Sequence, residues 1–188
     1  MTEADEMRRA WGRVVRWLEQ NAPGSAAALA PPAGPKAISD AEERLGVKFP
    51  QEVWTWLLIN DGVRIDDREY GKFPAEGGGF LPSSWHLLSV DQMVRVYEFR
   101  MGCEEREPTP DGDPDCVTWH RDWIPFAVEG DWLYGRFIDT RTGTLGRWSD
   151  GGVNRFDTHD SLAEFFHELA DEMRTHGPGH VVDGVLTW

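Results

Sequence analysis

The side chains with the most evident chemical potential lie between Cys103 and Asp131. Asp111, Asp113 and Asp115 alternate as the first, third and fifth ligands of a calcium loop do, and Asp122 falls at the twelfth position. The pattern then fails. Position six needs glycine for a sharp turn and is Cys116, Pro114 interrupts the loop, and Asp122 stands where a longer, bidentate glutamate is required. Cys103, Cys116 and His120 offer soft ligands, but a structural zinc site takes four and prefers close cysteine pairs. His176 and His180 are separated by Gly177-Pro178-Gly179 and cannot share a helical face, so they read as a surface tail. No metal site and no cofactor is expected. A metal-dependent hydrolase using the acids of 111–122 remains a rival reading.

Nucleophilic chemistry leaves no trace either. There is no Gly-x-Ser-x-Gly elbow and no His-Glu-x-x-His, and the glycines at 77–79 lack the Gly-Lys-Ser/Thr that would make them a phosphate loop. With no nucleophile and base in a recognisable arrangement, the expectation is a protein that is not an enzyme.

What remains is charge and aromatic surface. The 188 residues carry 19 basic against 33 acidic side chains, a formal charge of −14. That excess argues against nucleic acid and against anionic membrane surfaces, which both need basic patches. Residues 101–131 hold nine acids and two bases, half of the net charge in one sixth of the chain. Trp119 and Trp132 flank this segment, and tryptophan is favoured where interfaces concentrate their energy. Asp111, Asp113, Asp115, Trp119, Asp122, Asp131 and Trp132 are therefore the candidate partner-binding residues, and a basic protein the expected partner.

The elements that must position these residues are legible from periodicity and caps. Met7, Trp11, Val14, Val15 and Leu18 predict an amphipathic helix over 5–21, ended by Pro23-Gly24. The Ala-rich run 26–30 and Pro31-Pro32 then read as a stiff strap. Ser39-Asp40-Ala41-Glu42 has capping-box spacing for a short helix stopped by Gly46, with Glu42 completing the cap. Pro50 suits the first position of the next helix, whose buried face would be Val53, Trp54, Leu57 and Leu58, and Asn60-Asp61-Gly62 ends it in a turn. Strands are expected at 63–66 and 85–88, separated by a flexible glycine stretch at 77–79. A capping box at Ser89–Gln92 opens a helix to about Met101, with Gly102 at its end. Residues 123–128 and 132–138 predict a hairpin, 144–148 a third strand, and Ser161–Glu164 a capped helix with Leu162, Phe165, Phe166, Leu169 and Met173 on one face. Val181 to Leu186 could form a small hairpin.

Size and composition fit one domain over 1–188. Hydrophobic residues make up 40% of it, with ten Trp and nine Phe, so a core needs no staples, and two cysteines make no disulfide framework. The first residues, Met1-Thr2-Glu3-Ala4-Asp5-Glu6, lack the charge and apolar run of a secretion signal, and no apolar stretch is long enough to cross a bilayer. A cytoplasmic protein is expected.

The run Leu29-Ala30-Pro31-Pro32-Ala33, then Ile38, Ala41-Glu42, Leu45-Gly46-Val47, Phe49-Pro50, Val53, Leu57 and Asn60-Asp61-Gly62 resembles the N-terminal signature of the SUKH superfamily. Leu87-Leu88-Ser89, Trp123-Ile124-Pro125-Phe126, Phe137-Ile138-Asp139, Gly143 and Gly146 agree with it in order. The resemblance covers about 8–173. It implies an α+β fold in which several helices pack against a mixed, mostly antiparallel sheet, with Pro31, Pro32, Glu42, Gly46, Pro50, Asp61 and Gly62 as structural motif residues. It implies no catalysis. Bacterial members of the superfamily are regarded as immunity proteins that bind a cognate toxin domain, often a nuclease, and eukaryotic relatives of the Smi/Knr type as regulatory scaffolds. The acidic loop 103–115 and the extension 176–188 depart from the signature. The leading expectation is an immunity protein that occludes a basic toxin domain with an acidic, aromatic-edged surface, and the alternative is an intracellular regulatory scaffold.

Overall fold

Thr2 starts the first helix: its hydroxyl accepts the Asp5 amide hydrogen while the Asp5 carboxylate reaches back to the Thr2 backbone. In the computed structural model, which describes residues 2–68, 71–106, 119–150 and 152–188, this helix, α1, spans Glu3–Asn21. It buries Met7, Ala10, Trp11, Val14 and Leu18, the stripe that the spacing predicts. Pro23 ends α1 and also begins α2 (Pro23–Ala28), because a proline at the first helical position lacks only an amide that would be unbonded anyway. The alanine run expected as strap is thus helical, and only 29–34 is extended or irregular.

The expected cap at Ser39 is not one. Helix α3 (Pro35–Leu45) begins a turn earlier, again on a proline, so Ser39 lies inside it and its hydroxyl donates back to the Lys36 carbonyl. Gly46, at φ +68°, ends α3 as expected. Pro50 sits just ahead of α4 (Gln51–Leu57), not at its first position. The α4 face is also rotated from expectation: Val53, Thr55, Trp56 and Leu57 are buried, Trp54 is half-buried and Leu58 is exposed.

Strands β1 (Ile65–Arg68) and β2 (Gly71–Pro74) pair as a small ribbon, with Val63 bridging to Leu29. After β3 (His86–Leu87), Ser89 and Gln92 exchange the two bonds of the expected capping box and open α5 (Val90–Arg106). α5 passes through Gly102 without stopping, so the predicted insertion at 103–115 begins in helix, and its remainder lies outside the described residues. Then come β4 (Trp123–Val128), β5 (Tyr134–Asp139), β6 (Leu145–Ser149) and β7 (Arg155–His159). They form a five-stranded sheet in the order β3-β4-β5-β6-β7. Every neighbouring pair is antiparallel, so the sheet is not mixed. Strand β7 carries no periodic signal, having a register shift against β6 and Asp157 at φ +48°.

One sheet face is aromatic. Trp123 stacks on Phe137 at 4.1 Å, and Trp119 meets Tyr97 of α5, Trp123, Phe137 and Trp148 edge-on. Gly135 and Gly146 stand across from Trp148 and Phe137, and a Cβ at either would overlap the facing ring. On the other face α6 (Leu162–Thr175), capped by Ser161, lays Phe165 against Phe126 and His159, while Phe166 packs on Trp11 of α1 at 4.8 Å. Strands β8 (Val181–Val182) and β9 (Val185–Leu186) make the expected tail hairpin, which returns to α2: Gly24 donates to the Gly184 carbonyl and Leu186 to the Ser25 hydroxyl. The architecture is α+β.

Candidate functional site

The Pro-Pro strap and the Asn-Asp-Gly turn are one structure. Ala30 donates to the Gly62 carbonyl, Asp61 to that of Pro31, and Ala33 to that of Leu57. The buried Asn60 amide donates to both the Ala30 and Gly62 carbonyls. Prolines lack the amides that would compete, so Pro31 and Pro32 keep this strand of chain extended and acceptor-only. Gly62, at φ +67°, is pressed against the Leu88 carbonyl. The turn therefore delivers Asp61 to the start of α5, where its carboxylate accepts the Val90 amide hydrogen at 2.7 Å. Burial, reinforced by the Asp91 charge, pushes the Asp61 carboxyl above its ordinary pKa despite that bond.

Glu42, expected as a cap partner, does other work. Its carboxylate is 5% exposed and takes hydrogen bonds from the Phe49 amide at 2.7 Å, the Trp54 indole at 2.9 Å and the Lys48 ammonium at 2.9 Å. It clips the chain between Gly46 and Pro50 to both flanking helices. Burial raises its pKa, but the three donors outweigh burial and hold it below the ordinary value.

Beside the strap lies a cleft of about 540 Å³ whose wall includes Asp61, Arg64, Asp91, Gln92, Arg95 and Trp132. Trp132 stands in the β4–β5 connection at φ +66°, a backbone region that bulky residues rarely enter. Its carbonyl accepts the Trp148 indole N–H from the aromatic sheet face, which fixes it there. Its ring meets Phe99 edge-on at 5.9 Å, and Phe99 is 40% exposed on α5. Asp131, also exposed, turns its carboxylate onto the Leu133 amide. Burial first, then the neighbouring Asp131, push the Glu129 carboxyl up to about 7, with Arg147 opposing. Trp132 of the partner-binding set and Asp61 of the structural motif thus meet around one cleft, with Asp131 next to Trp132 in the same connection. Phe99 was not legible as a site residue; its only signal is an aromatic ring on the polar side of a helix.

The rest of the expected partner-binding set is placed elsewhere. Trp119 is 2% exposed at the centre of the aromatic cluster, so the reading of it as a surface anchor is corrected: its ring packs on Tyr97, Trp123, Phe137 and Trp148, and its amide donates to the Glu104 carboxylate. Asp122 is half-buried, near Arg141 and His120. Asp111, Asp113 and Asp115 lie outside the described residues. Among the described residues no group of three or more His, Cys, Asp or Glu side chains is placed to hold a metal ion, and no helix is long and apolar enough to cross a membrane.

No curated protein matches the chain. The family model described as SMI1 / KNR4 family (SUKH-1) matches residues 32–168, from the second proline of the strap to the middle of α6. The match takes in the end of the strap from Pro32, the Glu42 clip, the Asn60-Asp61-Gly62 turn and the whole five-stranded sheet, well over half of the chain, and the protein therefore belongs to the SMI1/KNR4 family (SUKH-1).

Proposed function

We propose that the protein is a cytoplasmic, non-enzymatic binding module, an immunity protein that neutralises a basic toxin domain by docking it at the cleft edged by Trp132 and Phe99. Family membership supports the general class, which includes immunity proteins and regulators of the Smi1 type. The observation that carries the docking site is Trp132: a tryptophan in the wall of a cleft, held in a left-handed conformation, with its ring against a partly exposed phenylalanine. Such backbone strain collects at functional positions, and aromatic anchors dominate interface energies. Asp61 and Asp91 in the cleft wall are matched by Arg64 and Arg95, with Asp91 paired to Arg95 at 2.8 Å, so it is the overall charge of −14 and the exposed Asp131 next to Trp132 that favour a cationic partner and would speed its approach. A nuclease would meet this description, since it carries cations for its substrate's phosphates.

The experiment is co-expression with a toxin domain encoded beside this gene. Protection of the cells, recovery of a one-to-one complex, and loss of both on Trp132→Ala with the fold intact are the expected results. A neighbouring toxin that kills equally with and without this protein rejects the immunity reading. A stable complex with a non-toxic client would favour the regulatory scaffold.

A further inference from the structure

Three arginines form a row across the sheet. In the register of β5, β6 and β7, Arg136 faces Arg147 and Arg147 faces Arg155. Directly opposed like charges destabilise an antiparallel pair, and such a row is a poor choice for structure alone. It is stranger in a chain with 33 acids available to pair them. Among the described residues none of the three arginines forms an ion pair.

Their surroundings are built. Alternation along the strands points Phe137 and Trp148 to the aromatic face and the arginines to the other. There the Arg147 guanidinium lies 4.8 Å from the centre of the Trp85 ring, with Arg136 5.9 Å from the same ring and 5.0 Å from that of Phe165. One indole thus gathers two cations to one spot. Arg136, alone of the three, lines a cleft of about 360 Å³ between the sheet and α6, walled by Trp85, Phe165 and Leu169 and also by the carboxylates of Glu168 and Glu172. This is within the size range of small-molecule sites. Arg155, exposed at the end of the row, extends the charge toward solvent.

The carboxylates nearby, with less charge than they face and in no ion pair with the arginines, offset the row only in part. Glu168 lines the same cleft and bonds His159 at 3.1 Å, but burial lowers the His159 pKa, so the Glu168 charge remains at neutral pH. Glu129, which senses Arg147, is pushed up to about 7 and is only partly ionised at neutral pH. Glu172 also lines the cleft and acts on Arg136 without forming an ion pair with it.

We infer that Arg136, Arg147 and Arg155 form a binding site for a dianionic phosphoryl group, either free phosphate or the phosphate of a small molecule whose apolar body enters the cleft against Trp85 and Phe165. A carboxylate is saturated by one bidentate guanidinium, whereas a phosphoryl group has three terminal oxygens and two charges to share among several. This site lies on the sheet face opposite the aromatic cluster and is independent of the proposed docking cleft.

The probes are inorganic phosphate and phenyl phosphate, each compared with chloride at equal ionic strength, and read by amide NMR shifts and melting temperature. Phosphate is expected to shift amides of β5–β7 and raise the melting temperature. Arg147→Gln and the exposed Arg155→Gln should each weaken that response about tenfold or more, while the unliganded melting temperature stays level or rises as repulsion is relieved. Tighter binding of phenyl phosphate identifies a ligand with an apolar body, and equal binding identifies phosphate itself. A wild-type response to phosphate no different from chloride overturns the site. So does a phosphate response that survives both substitutions.

Discussion

The Trp54 indole N–H points at the Glu42 carboxylate from 2.9 Å, joining α4 to the end of α3 through a charge that is almost wholly buried. A buried carboxylate is costly unless its oxygens are filled, and here the Phe49 amide and the Lys48 ammonium complete the set. The motif position is thus a structural clip.

Removing the clip has a calculable effect. Glu42→Ala leaves the Trp54 and Phe49 donors without their acceptor and should cost about 3 kcal/mol; Glu42→Gln, which keeps one oxygen, should cost about half that. Because the Glu42 pKa is depressed on folding, its contribution is complete above the ordinary value of 4.5 and fades as pH falls below it. Urea titrations of wild type and Glu42→Gln at pH 7 and pH 3 should therefore differ widely at the first pH and little at the second.

Gly62 gives a second stability prediction. At φ +67° any side chain carries a left-handed penalty of about 1–2 kcal/mol, and a Cβ there also overlaps the Leu88 carbonyl. Gly62→Ala should lower stability by about 3 kcal/mol or more in chemical denaturation. Gly46→Ala, with a similar φ but open space around it, should lose only about 1 kcal/mol. Equal losses at the two positions would show that the Leu88 contact relaxes freely.

How much of this was legible follows from where the deciding partners lie. Helix α1 was readable from its apolar stripe and α6 from stripe and cap together, both local, and the β4–β5 and tail hairpins because alternation flanks a turn. The Ser39 box misled because its spacing also fits a helix interior, and Pro35 had already begun the helix; Glu42 was then claimed by donors seven and twelve residues on. Trp119 looked like a surface tryptophan because its neighbours in sequence are polar, yet Tyr97, Phe137 and Trp148 bury it from afar. The arginine row could not be read at all before the strand register was known, since nothing in 136, 147 and 155 marks them as neighbours.

His86 makes stability depend on pH. It is 3% exposed in β3, and burial pushes its pKa down from 6.5 to about 4. Between those values the unfolded chain binds a proton that the folded one refuses, so this contribution is complete above pH 6.5 and is lost as pH falls toward 4, up to about 3 kcal/mol in all. Melting curves from pH 7 to pH 4 should show the decline. His86→Gln should flatten it, whatever the absolute stability of the variant.

The two tryptophans flanking the acidic segment should part company on substitution. Trp119 is packed edge-on among four rings, and truncation leaves a large cavity; Trp119→Ala should cost about 3–5 kcal/mol of folding stability and reduce partner binding only in proportion to unfolding. Trp132 is half-buried, and its carbonyl, not its ring, holds the Trp148 indole, a bond that alanine retains. Trp132→Ala should therefore fold, with a modest loss of stability, and raise the dissociation rate of the toxin complex by a factor corresponding to about 2 kcal/mol or more. Phe99→Ala, removing the ring that meets it edge-on, should act in the same direction but less. Association, by contrast, should slow as salt screens exposed charges over about 8 Å, and neutralising Asp111, Asp113 and Asp115 to Asn should lower the association rate while leaving dissociation nearly unchanged. Binding kinetics at two salt concentrations, with folding checked for each variant, separate these effects. If Trp132→Ala folds and dissociates at the wild-type rate, the toxin docks on another face, and the strained conformation at Trp132 serves only to seat the Trp148 indole.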